Sequence, residues 1–239
     1  MQGANKPANG FRTRFERILF DLNTQCDLLL LKGALPVVNR AEVLPNIGKI
    51  MNWARLGSVP VVSSLECRRN EAFSLGIPAY CIDRSMGQRK VPVTLLPRRI
   101  VVHDDSSVHV PPDSLGRYQQ IILNKRSCDF LSNPKVDRLF HALSIHHLIV
   151  IGAVVEHDVT PTVISLLARG QRVAVVTDAC GAWSAAAAAL AMRRMDAKGA
   201  VLITTHELLS GDADERLRDS TPFVTQDEQE PLVEPFCWS

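Results

Sequence analysis

The sequence predicts a three-layer α/β/α fold in which helices cover both faces of a parallel sheet. Short apolar runs of strand length alternate along the chain with segments whose apolar residues follow helical spacing. The runs are nearly continuous, which is typical of parallel strands that are buried on both faces. With 239 residues, of which 46% are hydrophobic, the chain is long enough for one domain with a sizeable core.

The first part of the chain is predicted to form two strands around one helix. Residues 17–22 are a short apolar run that predicts a buried parallel strand with Asp21 at its carboxyl end. Apolar residues at helical spacing predict a helix over residues 41–56, and Gly57 ends it. Residues 59–64 then predict the second strand.

The middle of the chain is predicted to be mostly loop. Gly and Pro recur through residues 65–110, so we expect loops there with a short strand at 99–102, and these loops are the expected lid of a pocket. Residues 120–125 predict another strand, which ends at Lys125. A helix is predicted over residues 133–143, because its first residue is a capping Asn and Pro follows at the first helical position.

The remaining elements continue the alternation of strand and helix. They are a strand at 147–151, a helix at about 156–169, a strand at 172–176, a helix through the alanine run to Ala197 and a strand at 200–203. We therefore expect a domain over residues 14–210. A flexible arm at 1–13, rich in Gly, Asn, Ala and Pro, would precede it, and an acidic extension at 211–239 would follow it.

Composition argues against several classes of partner. The net charge is only +2 and aromatic residues are 5% of the chain, so nothing indicates a nucleic-acid surface. No apolar run approaches the roughly 20 residues of a membrane span, and we expect a cytoplasmic protein. The six cysteines are scattered without a Cys-x-x-Cys pair and are expected to be reduced, small buried hydrophobic residues.

Three residues at predicted strand ends are the candidates for chemistry. Asp21, Lys125 and Asp158 follow different strands, and the carboxyl ends of parallel strands line the crevice where open α/β sheets bind ligands. Structural roles are also open. Asp21 could end a strand turn, Lys125 could be a solvated strand end, and Asp158 could cap a helix N-terminus, a role worth about 0.5–2 kcal/mol.

The segment around Asp158 carries a recognisable motif. Its matching residues are Gly152, Glu156, His157, Val159, Asp178 and Ala179. Lys125-Arg-Ser-Cys-Asp-Phe130 supplies a further Lys-x-x-x-x-Phe match. Over roughly residues 17–210 the chain resembles the isochorismatase-like cysteine hydrolases, and the register places Asp158 at the position of their nucleophilic cysteine.

The resemblance implies a Rossmann-like sheet, a dimer or higher oligomer, and a catalytic triad. In that family an Asp acts as acid or base, a Lys holds charge and a Cys attacks an amide carbonyl. The matching residues here are Asp21, Lys125 and Asp158. The peptide between Ala153 and Val154 would be the family's cis bond, which shapes the oxyanion hole together with the backbone N–H of residue 158.

The departures from the family bear on the reaction. A carboxylate attacks an amide far less readily than a thiolate does, so the usual thiol chemistry is not expected. Two nearby carboxylates resist ionising together, and one could keep a proton and act as an acid unless Lys125 compensates. Members that cleave the vinyl ether of isochorismate also lack the cysteine, but they usually have a small residue there.

No metal or other cofactor is expected. Nicotinamidase-like relatives have an Asp-x-His and a further His after the second strand, where this chain has Leu65, Cys67 and Glu71. Leu65 cannot bind a metal, and the other two are poor replacements. Tyr80 similarly stands where a family Pro-x-His-Cys segment has His.

The sequence leaves three functional hypotheses. The first is a hydrolase of a small amide, ester or ether that uses Asp21, Lys125 and Asp158 as acid–base groups and water as the attacking group. The second is a catalytically silent member that binds a ligand or a partner. The third is an engineered or natural variant of a cysteine enzyme, in which Asp158 mimics the charge of the thiolate.

Overall fold

The computed structural model describes residues 13–69, 78–102, 114–141 and 143–219. The predicted arm, apart from Thr13, and residues 220–239 of the predicted extension lie outside the described residues, as do Glu71 and Cys237.

A seven-stranded sheet forms the centre of the molecule. Its strands are β1 Thr13–Leu22, β2 Val61–Glu66, β3 Arg99–Val102, β4 Gln120–Lys125, β5 Leu143–Ala153, β6 Val173–Gly181 and β7 Val201–Ile203. They lie in the order β3-β4-β2-β1-β5-β6-β7, and each neighbouring pair is parallel. The predicted fold class is confirmed.

Helices connect the strands and cover the sheet. They are α1 Cys26–Leu29, α2 Arg40–Leu56, α3 Ser114–Arg117, α4 Pro134–His141, α5 Thr160–Ala168, α6 Ala185–Ala197, α7 Thr205–Ser210 and α8 Asp214–Asp219. Short 3₁₀ turns occur at Pro92–Thr94 and Phe130–Ser132, and a single π-helical turn, Val155–Val159, joins β5 to α5. Within the described residues, no helix has both the length and the apolar character needed to cross a membrane.

Side chains of the central strand alternate between two apolar layers. Phe20 packs on one face, where its ring lies edge-on at 5.2 Å from Phe140 and 6.0 Å from Phe130. Leu19 points to the other face, towards the buried side of α2. Packing on both faces holds β1 rigidly, so the polar residues at its carboxyl end have fixed positions.

The strand order places a crevice at the carboxyl ends of the central strands. After β1 the chain builds one half of the sheet with β2, β3 and β4, and it then returns to pair β5 with the other side of β1. This reversal is the topological switch point at which open α/β sheets bind ligands. Asp21, Glu66 and Lys125 lie at the ends of β1, β2 and β4, and Asp158 lies in the turn after β5.

The beginning of the acidic extension packs at the opposite end of the sheet. Leu217 of α8 is buried, and its carbonyl oxygen is 2.8 Å from Nε2 of His147 on β5. Asp214 forms a salt bridge of 2.7 Å with Arg17 on β1. These contacts join residues 211–219 to the amino-terminal ends of the two central strands.

Candidate active site

A buried ion-pair cluster occupies the floor of the crevice and centres on Lys125. Its ammonium group contacts a carboxylate oxygen of Asp158 and lies 2.9 Å from Oε2 of Glu66. It also donates a hydrogen bond of 3.3 Å to the carbonyl oxygen of Cys128. These three contacts match the three donors of the ammonium group. The structure therefore brings Lys125 and Asp158 together and adds Glu66, which the sequence prediction did not include.

Burial and ion pairing shift the pKa values of Lys125 and Asp158 in opposite directions. Burial by itself would lower the pKa of Lys125, but Asp158 and Glu66 outweigh it, and the pKa is raised. Burial would likewise raise the pKa of Asp158, but Lys125 and His157 outweigh it, and the pKa is lowered. Lys125 thus compensates the charge of Asp158, which is an ionised carboxylate at neutral pH and does not keep the proton that the sequence left open.

The turn after β5 fixes the position of Asp158. The peptide bond between Ala153 and Val154 is cis, and the backbone N–H of Asp158 donates to the Val154 carbonyl at 2.8 Å. The backbone N–H of Val154 points back to Oδ2 of Asp158 at 3.5 Å. Nδ1 of His157 lies 3.1 Å from the same oxygen. Asp158 thus faces Lys125 with one oxygen and His157 with the other.

Asp21 belongs to a separate ion pair beside this cluster. Lys90 lies 2.8 Å from Oδ2 of Asp21, which also accepts a hydrogen bond of 2.8 Å from Ser63. Thr24 donates to Oδ1 at 2.6 Å. Asp21 is 0% exposed. Within the part of the chain that the structure describes, no hydrogen bond or ion pair joins Asp21 to Lys125 or Asp158, so the three predicted residues do not form one contact group.

The Lys90 side chain of this second pair is buried, with 2% of its surface exposed. It also donates a hydrogen bond of 3.2 Å to the Ser64 carbonyl. Burial lowers the pKa of Lys90, and the attraction of Asp21 only partly offsets that effect. Asp21 is therefore the group that stabilises the charged form of Lys90.

Cys128 brings a thiol to the edge of the Lys125 cluster. It is exposed, and its sulfur lies 3.4 Å from Nε2 and 3.7 Å from Nδ1 of His157. The expectation that the cysteines are buried is correct for Cys67, Cys81 and Cys180 but wrong for Cys128. The physical reason is that Cys128 lies in the loop between β4 and the 3₁₀ turn Phe130–Ser132, outside the apolar layers that pack on the sheet.

An open cleft adjoins the thiol. It has a volume of about 340 Å³ and is lined by Glu66, Cys67, Arg68, Arg69, Arg126, Ser127 and Cys128. Arg68 lies 4.2 Å from the ring centre of Tyr80 and forms a salt bridge of 3.0 Å with Glu66. With three arginines and one carboxylate in its lining, the cleft is suited to small anionic molecules.

The residues that the resemblance places at a metal position do not fit a metal. Leu65 has no ligand atom. Cys67 is buried with its sulfur 2.8 Å from Nε2 of Gln88, and burial raises the pKa of its thiol to about 11, so it remains protonated.

Elsewhere in the described ranges, two groups have three potential metal ligands each: Glu16, His146 and His147, and Cys128, His157 and Asp158. The first group lies on β1 and β5, towards the amino-terminal ends of those strands and away from the crevice. In the second, a cation would compete with Lys125 for the carboxylate of Asp158.

Four residues that contact the predicted site residues were absent from the prediction. Glu66 could have been found by the same rule that selected Lys125, because it also ends a parallel strand; the predicted strand stopped two residues too early. His157 precedes Asp158 and was identified only as a motif match. Lys90 and Cys128 lie in loops, where no sequence period indicates which way a side chain points.

Comparison with known proteins finds one matching family model and several solved structures of similar fold. A family model described as Isochorismatase domain matches residues 22–207. A zinc-bound pyrazinamidase from Pyrococcus horikoshii has 16% sequence identity and a TM-score of 0.65, and the alignment covers 79% of this chain and 99% of that one. For an isochorismatase family protein from Desulfovibrio vulgaris the identity is 21%, the TM-score 0.64 and the coverage 82% and 98%. For the MAR1 ribonuclease from Caenorhabditis elegans the values are 19%, 0.56, 92% and 97%. No curated protein matches the sequence.

Proposed function

Because this chain belongs to the isochorismatase family, we propose that it is a hydrolase of a small ester, amide or ether whose acid–base groups surround Lys125. The observation that supports this most is the continuous set of contacts from Lys125 through Asp158 to His157. An ionised carboxylate that contacts a buried ammonium on one side and an imidazole on the other supplies groups able to transfer protons in hydrolysis.

Each group has a distinct role in this proposal. Asp158 holds the imidazole of His157, and its hydrogen bond raises the pKa of His157 above the ordinary 6.5. His157 can therefore take a proton from an attacking group near neutral pH and return it to the leaving group. Lys125 keeps Asp158 ionised. Asp21, paired with Lys90, is the third acid–base group of the proposal, on the β1 side of the crevice. Water completes the hydrolysis.

A catalytically silent protein is the second candidate. The observation that favours it is that each carboxylate already has its own lysine, while Asp21 is 0% and Asp158 2% exposed. Such pairs can be retained for folding specificity alone. In that case the arginine-lined cleft would bind an anionic ligand without transforming it.

Turnover assays separate the two candidates. A panel of small esters, amides and enol ethers is offered to the parent protein and to its Asp158→Asn, Asp21→Asn and Asp158→Cys variants. The hydrolase proposal expects turnover by the parent and a loss of about 100-fold or more in Asp158→Asn. Turnover by Asp158→Cys alone would instead show a silenced thiol site. No turnover by any of the four would favour the binding protein.

A further inference from the structure

We propose that Cys128 is the nucleophile of this site, with His157 as its base and Asp158 as the group that orients His157. The acyl compounds it takes would be small and would carry a negative charge, because arginines line the cleft beside the sulfur. This inference rests on the proposed hydrolase function and adds the attacking group and the substrate class to it.

The contacts of His157 give its two ring nitrogens separate roles. Nδ1 lies 3.1 Å from Oδ2 of Asp158, which as an ionised carboxylate can only accept a hydrogen bond. The proton of the neutral ring is therefore on Nδ1. That leaves Nε2 unprotonated and 3.4 Å from the sulfur of Cys128, which is also 3.7 Å from Nδ1. The sulfur therefore lies to the side of the Nε2 lone pair, and a rotation of the exposed Cys128 side chain is needed to align the S–H with it. A base whose other nitrogen is fixed by a carboxylate is the arrangement that activates serine and cysteine nucleophiles.

Asp158 has a chemical purpose in this arrangement that a cysteine at the same position could not serve. The orienting group of a Cys–His pair must accept a hydrogen bond from the imidazole and stabilise its positive charge. A ligand oxygen of Asp158 and the sulfur of Cys128 lie within 4.8 Å of one another. The thiol is thus displaced by a few ångströms, from the turn after β5 to the loop after β4, and it faces the same crevice.

The Cys128 thiol depends on His157 to remove its proton before it can attack. Partial burial, followed by the charge of Asp158, raises the pKa of Cys128 above the ordinary 9.0, so the group is a neutral thiol at rest. In the first step Nε2 of His157 takes the S–H proton while sulfur bonds to the acyl carbon and the carbonyl electron pair moves to oxygen. The carbonyl then re-forms, the bond to the leaving alcohol or amine breaks, and that group takes the proton from His157.

The second half returns the protein to its starting state. Nε2 of His157 takes a proton from water, and the water oxygen attacks the thioester carbon. The carbon–sulfur bond breaks, the sulfur recovers the proton from His157, and a carboxylic acid leaves. The sum is one acyl compound and one water converted to an acid and an alcohol or amine, with no external oxidant or reductant.

The cleft determines which acyl compounds fit. Its volume of about 340 Å³ is within the range of small-molecule sites. The guanidinium of Arg68 is held between Tyr80 and Glu66, so it is ordered before a ligand arrives, and Arg69 and Arg126 line the same cleft. A carboxylate on the acyl group would meet these cations while the carbonyl carbon lies at the sulfur.

The first experiment compares two 4-nitrophenyl esters, the neutral acetate and the anionic hemisuccinate, and examines the protein by mass spectrometry. We expect an acyl adduct on the peptide containing Cys128, a preference for the hemisuccinate, and a loss of about 100-fold or more in kcat for Cys128→Ala. Cys26→Ala is the matched control, since Cys26 is another free and only partly buried thiol, and it should keep the parent rate. Thermal melting confirms that each variant folds.

The pH dependence of activity tests the role of His157 as the base. The base acts only when it is unprotonated, so kcat/KM should decrease as the pH drops through a midpoint that lies above 6.5. Asp158→Asn should shift that midpoint to lower pH. A purely structural role for Asp158 would lower activity without moving it. Hydrolysis that persists within twofold in Cys128→Ala, or that depends on Zn²⁺ and stops with a chelator, would overturn the nucleophile assignment while leaving the hydrolase proposal intact.

Alkylation provides a test that does not require turnover. Cys128 should react with iodoacetate faster than with iodoacetamide, and His157→Gln should slow both reactions at least tenfold. If the parent hydrolyses nothing but these results hold, the hydrolase proposal fails and the activated thiol stands. If His157→Gln changes neither rate, the proposed pairing of Cys128 with His157 is wrong.

Discussion

Replacing Lys125 with Met tests whether the buried ion pairs organise the site. Methionine keeps most of the length and apolar volume of the side chain but removes the ammonium. The side chain of Lys125 is 1% exposed, and those of its partners Glu66 and Asp158 are 5% and 3% exposed. Removing the central cation would leave two carboxylates in a region with little water. Deleting one partner of a buried pair costs about 3–5 kcal/mol, compared with about 0–1 kcal/mol for an exposed pair.

The contacts that remain in Lys125→Met reduce the expected stability loss to the lower end of that range. Asp158 keeps His157, and Glu66 keeps Arg68, so we expect a loss of about 3 kcal/mol in the free energy of unfolding at pH 7. Lys125 is the main group that lowers the pKa of Asp158. Without it that pKa rises, so Asp158 takes up a proton as pH falls and the loss should shrink towards pH 4.

Urea unfolding followed by tryptophan fluorescence measures the loss for Lys125→Met at both pH values. Lys49→Met, at an exposed lysine on α2, is the control and should be nearly neutral. A loss below about 1 kcal/mol at pH 7, or one that does not change with pH, would refute the reasoning.

Three further predictions concern the same crevice. Gly152→Ala should destabilise the protein by about 3 kcal/mol in urea unfolding, because φ is 134° there and the added Cβ would overlap the backbone at the end of β1; a change under about 1 kcal/mol would contradict the packing. Asp21→Asn leaves the charge of Lys90 buried without its partner, so the stability loss should be larger at pH 5 than at pH 9, where Lys90 can be neutral, and equal losses would count against this. NMR titration should give a pKa for His157 above 6.5 in the parent protein and a lower one in Asp158→Asn, since that hydrogen bond is the largest cause of the shift; an unmoved pKa would show that the contact does not form in solution.

Most of the sheet could be predicted because burial on both faces gives strands a continuous apolar signal. The predicted strands at 99–102 and 120–125 coincide with β3 and β4. The strand predicted at 147–151 was too short, because polar Ser144 and His146 interrupt the apolar run. In the structure those residues still belong to β5, whose pairing with β1 extends back to Leu143. Backbone hydrogen bonds to a neighbour, which a local pattern does not report, set the start of this strand.

The site was predictable only where a strand end positions the side chain. Lys125 was placed beside Asp158 on that basis, and the two are in contact. Asp21 also follows a strand, but its charge partner is Lys90, which lies 69 residues further along the chain in a segment between β2 and β3 without a repeating pattern. The choice of partner between two lysines depends on how that segment folds across the crevice, and no feature near Asp21 in the sequence encodes it.

The contacts of Asp158 give it a role that its own motif does not predict. By resemblance, Asp158 stands where the family has its nucleophilic cysteine, so the motif alone predicts a lost nucleophile. In the structure its two oxygens have different partners, Lys125 and His157, and the imidazole lies against the thiol of Cys128. A thiolate at residue 158 could pair with Lys125, but it has only one acceptor atom and would have no second one with which to orient the imidazole. Asp158 and Cys128 both contact His157, and Asp158→Cys combined with Cys128→Ala should show whether this scaffold still supports the family's arrangement. Activity in that double variant would mean that the nucleophile can occupy either loop, whereas inactivity with a preserved fold would mean that the crevice now depends on the carboxylate.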